Sequence, residues 1–444
     1  MTRFIAKPQG GTIYGTDWFD SFFGSSGDDI FYGLGGQDCF FGSYGSDMID
    51  GGSGWDMVAY FYSDKGITIT WDRDSEDGYS IGKNGHAEGD RLINIEAIMG
   101  TSYNDHIEGT DEANSLFGGG GDDHLIGHGG NDLLNGNAGS DTLDGGSGDD
   151  LFVLDMKSSD IVIGGDDTDT VNYSRSHSGV SVNLTSGTAT ILPNPASDRI
   201  DETSHTDSLS GIENIVGSYY SDSLFGDDGN NLFDGGAGAD FFFGLDGLDT
   251  VTYERSSKAV FVSLASLLDE PGTVISVARG GDATGDQFSE IESLIGSDFD
   301  DVFIGNNSIN YLYGGKGNDT LFGNSGTNLL NGGEGADNFV FDFLYYQDDF
   351  FTAAANNHRT IIDDFENGID TIRTNQAFMT DADGNLDLTS WRQDGDDVVL
   401  SLSQNVIIGP FIAPVTHDVL RLSDMNLADI SQDHFEIVPS FEFA

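Results

Sequence analysis

A single cysteine, Cys39, stands in 444 residues, so no intramolecular disulfide can staple this chain. Proline occurs only seven times, too rarely for a proline-rich linker. Basic residues are scarce: 17 Lys and Arg face 76 Asp and Glu, a formal net charge of −59. That imbalance argues against nucleic acid and anionic membranes as partners, since both repel such a chain, and it argues for bound cations. No run approaches the roughly 18 apolar residues of a membrane span, and membrane insertion is not expected. The opening MTRFIAKPQGG lacks an apolar core of signal-peptide length. The expectation is either a cytosolic protein or one exported without a cleaved N-terminal signal.

Catalytic signatures are missing too. There is no H-E-x-x-H, G-x-S-x-G, P-loop or C-x-x-C. Acid pairs occur everywhere, and for that reason they nominate no catalytic dyad. No enzymatic activity is expected.

Glycine is what the chain has in excess: 63 residues, about twice the usual share. With it come 31 Phe and 15 Tyr, which disordered linkers rarely carry. The acids fall on a nine-residue ruler. One block holds Asp20, Asp29, Asp38, Asp47 and Asp56. A second holds Asp105, Asn114, Asp123, Asp132, Asp141 and Asp150, with Asp169 one residue out of phase. A third holds Asp222, Asn231, Asp240 and Asp249, and a fourth Asp301, Asn310, Asp319, Asn328 and Asp337. Two residues after every one of these 21 anchors the side chain is apolar, from Phe22 to Phe339, in a chain that is 37% hydrophobic. Chance does not produce that.

The unit is G-G-x-G-x-D-x-U-x, with U a large apolar residue. Its glycines permit positive φ and close backbone approach, so six residues turn tightly with carbonyls aimed at one centre. The x-U-x triplet makes a minimal strand with its middle side chain inward. Two nonapeptides form one coil, and coils stack at about 4.8 Å. Carboxylates stacked about 5 Å apart repel by ~3 kcal/mol per pair at an effective dielectric near 20. An all-oxygen cage of aspartates and carbonyls suits Ca²⁺ better than Mg²⁺, which prefers a strict octahedron and keeps its waters. The metal is expected to be part of the fold. Asn114, Asn231, Asn310 and Asn328 offer neutral ligands, and Glu112 and Ser308 replace a turn glycine beside two of them. Fewer ions than turns are expected, roughly 10–16.

Three segments between the blocks repeat one another. They begin DMVAYFYSDKGITITWD, DTVNYSRSHSGVSVNL and DTVTYERSSKAVFVSL, and Tyr60, Tyr173 and Tyr253 align. All three end with two acids six residues apart: Asp90 and Glu96, Asp207 and Glu213, Asp286 and Glu292. Two readings stand open: these acids close the first calcium cage of the following block, or they cap the strand ladder or sit solvated. The inserts also hold nine of the 17 basic residues, among them Arg73, Arg91, Arg175, Arg255 and Arg279. Local pairing with acids competes there with a surface for an acidic polysaccharide. His106 and His124, two nonapeptides apart, are expected to stack on the outer face, and Cys39 to point outward without a nucleophilic role.

The nonapeptides resemble those of RTX (haemolysin-type calcium-binding) secreted proteins. The inserts, with GVSVNL and GIENIVGS, resemble R-modules of mannuronan C5-epimerases. The C-terminal DNFVFDF, DDFENGIDTI and DHFEIV resemble the serralysin-type region that carries an uncleaved signal for type I secretion. The resemblance implies an all-β fold: right-handed parallel β-roll blocks at 1–59, 100–172, 217–252 and 296–340. Homologous β inserts fill 60–99, 173–216 and 253–295, and a β cap with the secretion signal fills 341–444. It implies calcium as the cofactor, an ABC exporter as a partner, and the surface or surroundings of a Gram-negative bacterium as the location. The function expected is a structural, surface-layer, matrix or adhesive exoprotein that folds on extracellular Ca²⁺ and self-associates. The alternative is a calcium-dependent binder of an acidic glycan such as alginate.

Overall fold

A computed structural model describes residues 2–73, 78–155, 157–192, 205–265, 277–324, 326–341, 359–365, 370–374, 391–394, 397–408, 411–422 and 435–437. Within these the regular secondary structure is almost wholly short β-strands, most of them paired in parallel, a parallel β-roll. The helical segments among the described residues are two three-residue 3₁₀ turns, Gly85–Ala87 and Gly281–Ala283. The chain divides into two compact units, 1–219 and 220–444.

The first unit shows why the nonapeptide folds. Each x-U-x triplet becomes a short strand whose centre is buried and whose flanks are not, as in Leu151–Val153. Strands two nonapeptides apart pair in parallel: Leu116 sits opposite Leu134, Leu134 opposite Phe152, Leu125 opposite Leu143. All 21 predicted apolar positions are at most 2% exposed. Between strands the chain reverses through glycine. At Gly148, φ is 116° and an added side chain would collide with the carbonyl of Gly130 one coil away. Only glycine permits both that angle and that approach.

The first insert does not interrupt the stack. After Met57–Ala59 the chain makes an antiparallel meander, Thr68–Trp71, Ser80–Lys83 and Arg91–Ile93. The meander's last strand lies parallel beside Met48–Asp50 and its first beside His106–Glu108. On the other sheet Ala97–Met99 pairs with both Met57–Ala59 and Ser115–Gly120. The apolar columns therefore run straight through, Val58 to Ile98 to Leu116. The second insert repeats the meander with Val180–Asn183, Thr188–Ile191 and Thr206–Ser210.

The second unit stacks Phe242 on Phe288, and Val251 on Leu294 and then Leu312. The columns continue past the last nonapeptide, Leu330 to Ile362 and Phe339 to Ile372. A long antiparallel hairpin, Asp397–Ile408 with Phe411–Leu422, pairs in parallel with Arg359–Ile362. Of the closing DHFEIVPSFEFA only the strand Phe435–Ile437 is described; the rest of that expected secretion signal lies outside the described residues.

Candidate metal sites along the turn edges

Each anchor is a buried carboxylate or amide, at most 4% exposed. At most of them one side-chain oxygen is committed by the fold itself: it accepts a hydrogen bond from the backbone N–H of the anchor one coil earlier. In the first unit one edge runs Asp20 to Asp38, Asp38 to Asp56 and Asp56 to Glu96, then Asn114 to Asp132, Asp132 to Asp150, Asp150 to Asp169 and Asp169 to Glu213. The other runs Asp29 to Asp47 and Asp47 to Asp90, then Asp105 to Asp123, Asp123 to Asp141, Asp141 to Asp160 and Asp160 to Asp207. The second unit carries Asp222 to Asp240 to Asp286, Asn231 to Asp249 to Glu292, and Asp301 to Asp319 to Asp337 to Asp370. These bonds span 2.6–3.2 Å. Every coil thus aims a row of negative charge along its own edge.

What happens to the second oxygen divides the anchors. Among the described residues, buried Oδ2 atoms with no hydrogen-bonding group near them occur at Asp38, Asp56, Asp123, Asp132, Asp141, Asp150, Asp169, Asp240, Asp249 and Asp319. At Asp20, Asp47, Asp105 and Asp301 the second oxygen is taken by the residue four earlier, Thr16, Ser43, Thr101 or Ser297. Asp29 leaves Oδ1 orphaned while Ser25 holds its Oδ2. Asparagine anchors turn their own amide onto the loop, Asn310 to Asn306 Oδ1 and Asn328 to the Asn324 carbonyl. The signal for this split was present as Ser or Thr at the second loop position, where the full motif has Gly.

The orphaned oxygens sit beside oxygen-lined notches. A methyl placed on Gly127 would collide with Asp132 Oδ2 and stand 2.6 Å from the carbonyl of Gly145. Gly145 faces Asp150 Oδ2 and the Gly164 carbonyl in the same way, and Gly314 faces Asp319 Oδ2 and the Gly332 carbonyl. Burial above all pushes these carboxyls up, Asp123 and Asp132 to about 8, Asp141 to about 7 and Asp150 to about 6. A buried, uncompensated carboxylate is costly, and an all-oxygen notch is the donor set of a hard cation. Calcium fits. Among the described residues no three His, Cys, Asp or Glu side chains converge, so main-chain carbonyls must supply most of the ligands. The ion would neutralise the stacked charge and tie one coil to the next.

The side chains of the six insert acids bond the preceding coil, while the Glu96 carbonyl also meets the block that follows, accepting from the Ser115 N–H and the Asn114 amide. Asp90 and Glu96 complete the coils of Asp47 and Asp56, Asp207 and Glu213 those of Asp160 and Asp169, Asp286 and Glu292 those of Asp240 and Asp249. The meander returns its last strand to the preceding coil, and the acids return with it. Asp160 and Asp370 are further members that the nine-residue ruler missed. Asp160 stands 19 residues after Asp141, one beyond the period. Asp364 also escaped notice: its two oxygens accept from the N–H groups of Gly332 and Gly333.

His106 and His124 do stack, with 3.1 Å between their Nδ1 atoms, and Glu108 bonds His106. Cys39 is not outward. It is buried, and desolvation lifts its thiol to about 11, which keeps it protonated and inert.

A family model for the RTX calcium-binding nonapeptide repeat, in four copies, matches residues 10–38, 40–59, 99–134, 126–155, 210–251 and 304–339. The turns are RTX calcium-binding repeats. RTX repeats bind Ca²⁺ at multiple sites, which agrees with the run of notches above. No curated protein matches this sequence. Among solved structures, the extracellular lipase LipA from Serratia marcescens is 16% identical and aligns over 77% of this chain. The chain spans 40% of that lipase's length, and at a TM-score of 0.19 the likeness carries no argument.

Proposed function

We propose that this calcium-binding RTX protein is a structural or adhesive exoprotein that folds outside the cell. Its cations would be held at the notches formed by Asp38, Asp56, Asp123, Asp132, Asp141, Asp150, Asp169, Asp240, Asp249 and Asp319, each with carbonyls of the neighbouring coil. The orphaned, buried aspartate oxygens carry this reading, because the stack cannot close over them without a counter-charge. Cytosolic calcium is too low to fill sites with Kd of about 10⁻⁴–10⁻³ M, whereas extracellular calcium fills them. An unfolded chain passing through an ABC exporter and coiling outside follows from that difference. Circular dichroism with calcium and with chelator tests it: strong β signal with the ion and its loss without are expected. Equal β content in both conditions would sink the proposal.

The adhesive part rests on exposed aromatic and aliphatic side chains crowded near the N-terminus. Tyr14, Trp18, Leu34, Tyr44, Trp55 and Tyr62 are all 42–77% exposed. Such a patch suits self-association. The glycan alternative receives less support. Arg73 and Arg255 pair with Asp111 and Asp234, and Arg91 and Arg279 lie over the rings of Tyr79 and Phe261. Those charges are engaged locally rather than displayed. Light scattering after adding calcium separates the two: growth with concentration supports assembly, and a strict monomer overturns it.

A further inference from the structure

Tyr60, Tyr173 and Tyr253 are buried, at most 4% exposed. Each donates its hydroxyl to the Oδ2 of an insert acid: Tyr60 to Asp90 at 2.9 Å, Tyr173 to Asp207 at 3.2 Å, Tyr253 to Asp286 at 2.7 Å. The Oδ1 of the same acid accepts the N–H of the anchor one coil earlier. These three carboxylates are therefore satisfied on both oxygens, unlike the orphaned anchors such as Asp123 and Asp132.

Their place in the stack explains how. In regular coils the notch beside a turn glycine is lined by the carbonyl of the glycine two nonapeptides further on: Gly33 with Gly51, Gly127 with Gly145, Gly314 with Gly332. Two nonapeptides after Gly42 comes Tyr60, and two after Gly235 comes Tyr253. A methyl on Gly42 would collide first with the ring of Tyr60, which lies where the other turns keep their oxygen-lined space, whereas a methyl on Gly235 would still meet Asp240 Oδ2.

We propose that these tyrosines take the place of calcium at the carboxylates of Asp90, Asp207 and Asp286, whose second oxygens are closed by a phenol hydroxyl and bind no ion. This rests on the reading that the orphaned anchors hold calcium. A hydroxyl donor answers a buried carboxylate as a charge-assisted hydrogen bond and needs no metal supply. Each meander is thereby stapled at its base, across 30–34 residues, before or without calcium.

The test is calcium stoichiometry of the full chain, by metal analysis after dialysis, in three variants. Asp132→Asn checks the underlying reading and is expected to lower the count; an unchanged count overturns the anchor assignment. Asp90→Asn, Asp207→Asn and Asp286→Asn together are expected to leave the count unchanged, since asparagine still accepts from the backbone; a fall of three overturns the tyrosine proposal alone. Tyr60→Gly, Tyr173→Gly and Tyr253→Gly restore the regular glycines and are expected to add ions; an unchanged count there also counts against the proposal. A calcium anomalous-scattering map of the wild-type protein covers the case of a variant that does not fold: density between Asp47 and Asp90 would reject the proposal, and density at Asp132 with none at Asp90 would support it.

Discussion

The coils from Asp123 to Asp150 and the coil that closes on Asp90 use the same strand register and the same N–H to carboxylate bond. They differ in what answers the second oxygen: an oxygen-lined notch in one, a tyrosine hydroxyl in the other. On the function proposed above, the first arrangement would make folding conditional on an ion, and the second would not. One chain thus combines steps that wait for calcium with steps that come ready closed.

The largest way to break the regular coils, short of removing calcium, is through their narrow core. Leu134 is fully buried between Leu116 and Phe152, and each coil offers few neighbours to collapse into a void. Leu134→Ala is expected to cost about 2–5 kcal/mol, read from denaturant unfolding at saturating calcium. Filling a notch comes next. Gly136→Ala places a methyl against Asp141 Oδ2, so a fall in calcium stoichiometry is expected with the β signal retained at high calcium. An unchanged ion count would show that the notch is not the site.

Protons sharpen the comparison. Asp123, Asp132, Asp141 and Asp150 titrate at about 6 to 8 in the fold, raised by burial from an unfolded value near 4. A raised carboxyl favours the fold when protonated: its contribution is full near pH 4 and is lost as pH climbs through 6 to 8. In chelator, acidification from pH 9 to 5 is therefore expected to restore part of the β signal, and a flat profile would contradict the shift. With calcium present the sign reverses for binding, since protons compete for the same oxygens. The smallest effect belongs to the exposed patch. Trp55→Ser is expected to leave stability within ~0.5 kcal/mol while reducing calcium-dependent assembly in light scattering.

The regular coils were legible in the sequence because their physics is periodic: one apolar residue inward and one acid at the edge in every nonapeptide. All 21 apolar positions and their anchors are buried as the ruler demands. What the ruler missed is whatever breaks its step. Asp90 and Glu96 lie six apart, and Asp160 lies 19 from Asp141, so neither belongs to a nine-residue frame. The alignment of the three tyrosines was visible, but their bonds were not, since a partner so far along the chain depends on a meander that doubles back. Ser43 and Thr101 show a subtler loss: in place of the loop glycine, Ser43 holds Asp47 Oδ2 with its hydroxyl, and Thr101 holds both Asp105 oxygens, Oδ2 with its N–H and Oδ1 with its hydroxyl.

The backbone bond from anchor to anchor joins residues 18, 19, 33, 40, 43, 44, 46 or 47 apart in the chain. The geometry at each is nevertheless the same. What the roll recognises is a D-x-U or E-x-U arriving beside the previous coil, regardless of the length of chain in between. Such a joint behaves as a socket. The native chain uses it at seven different spacings longer than one nonapeptide pair, without disturbing the columns beneath.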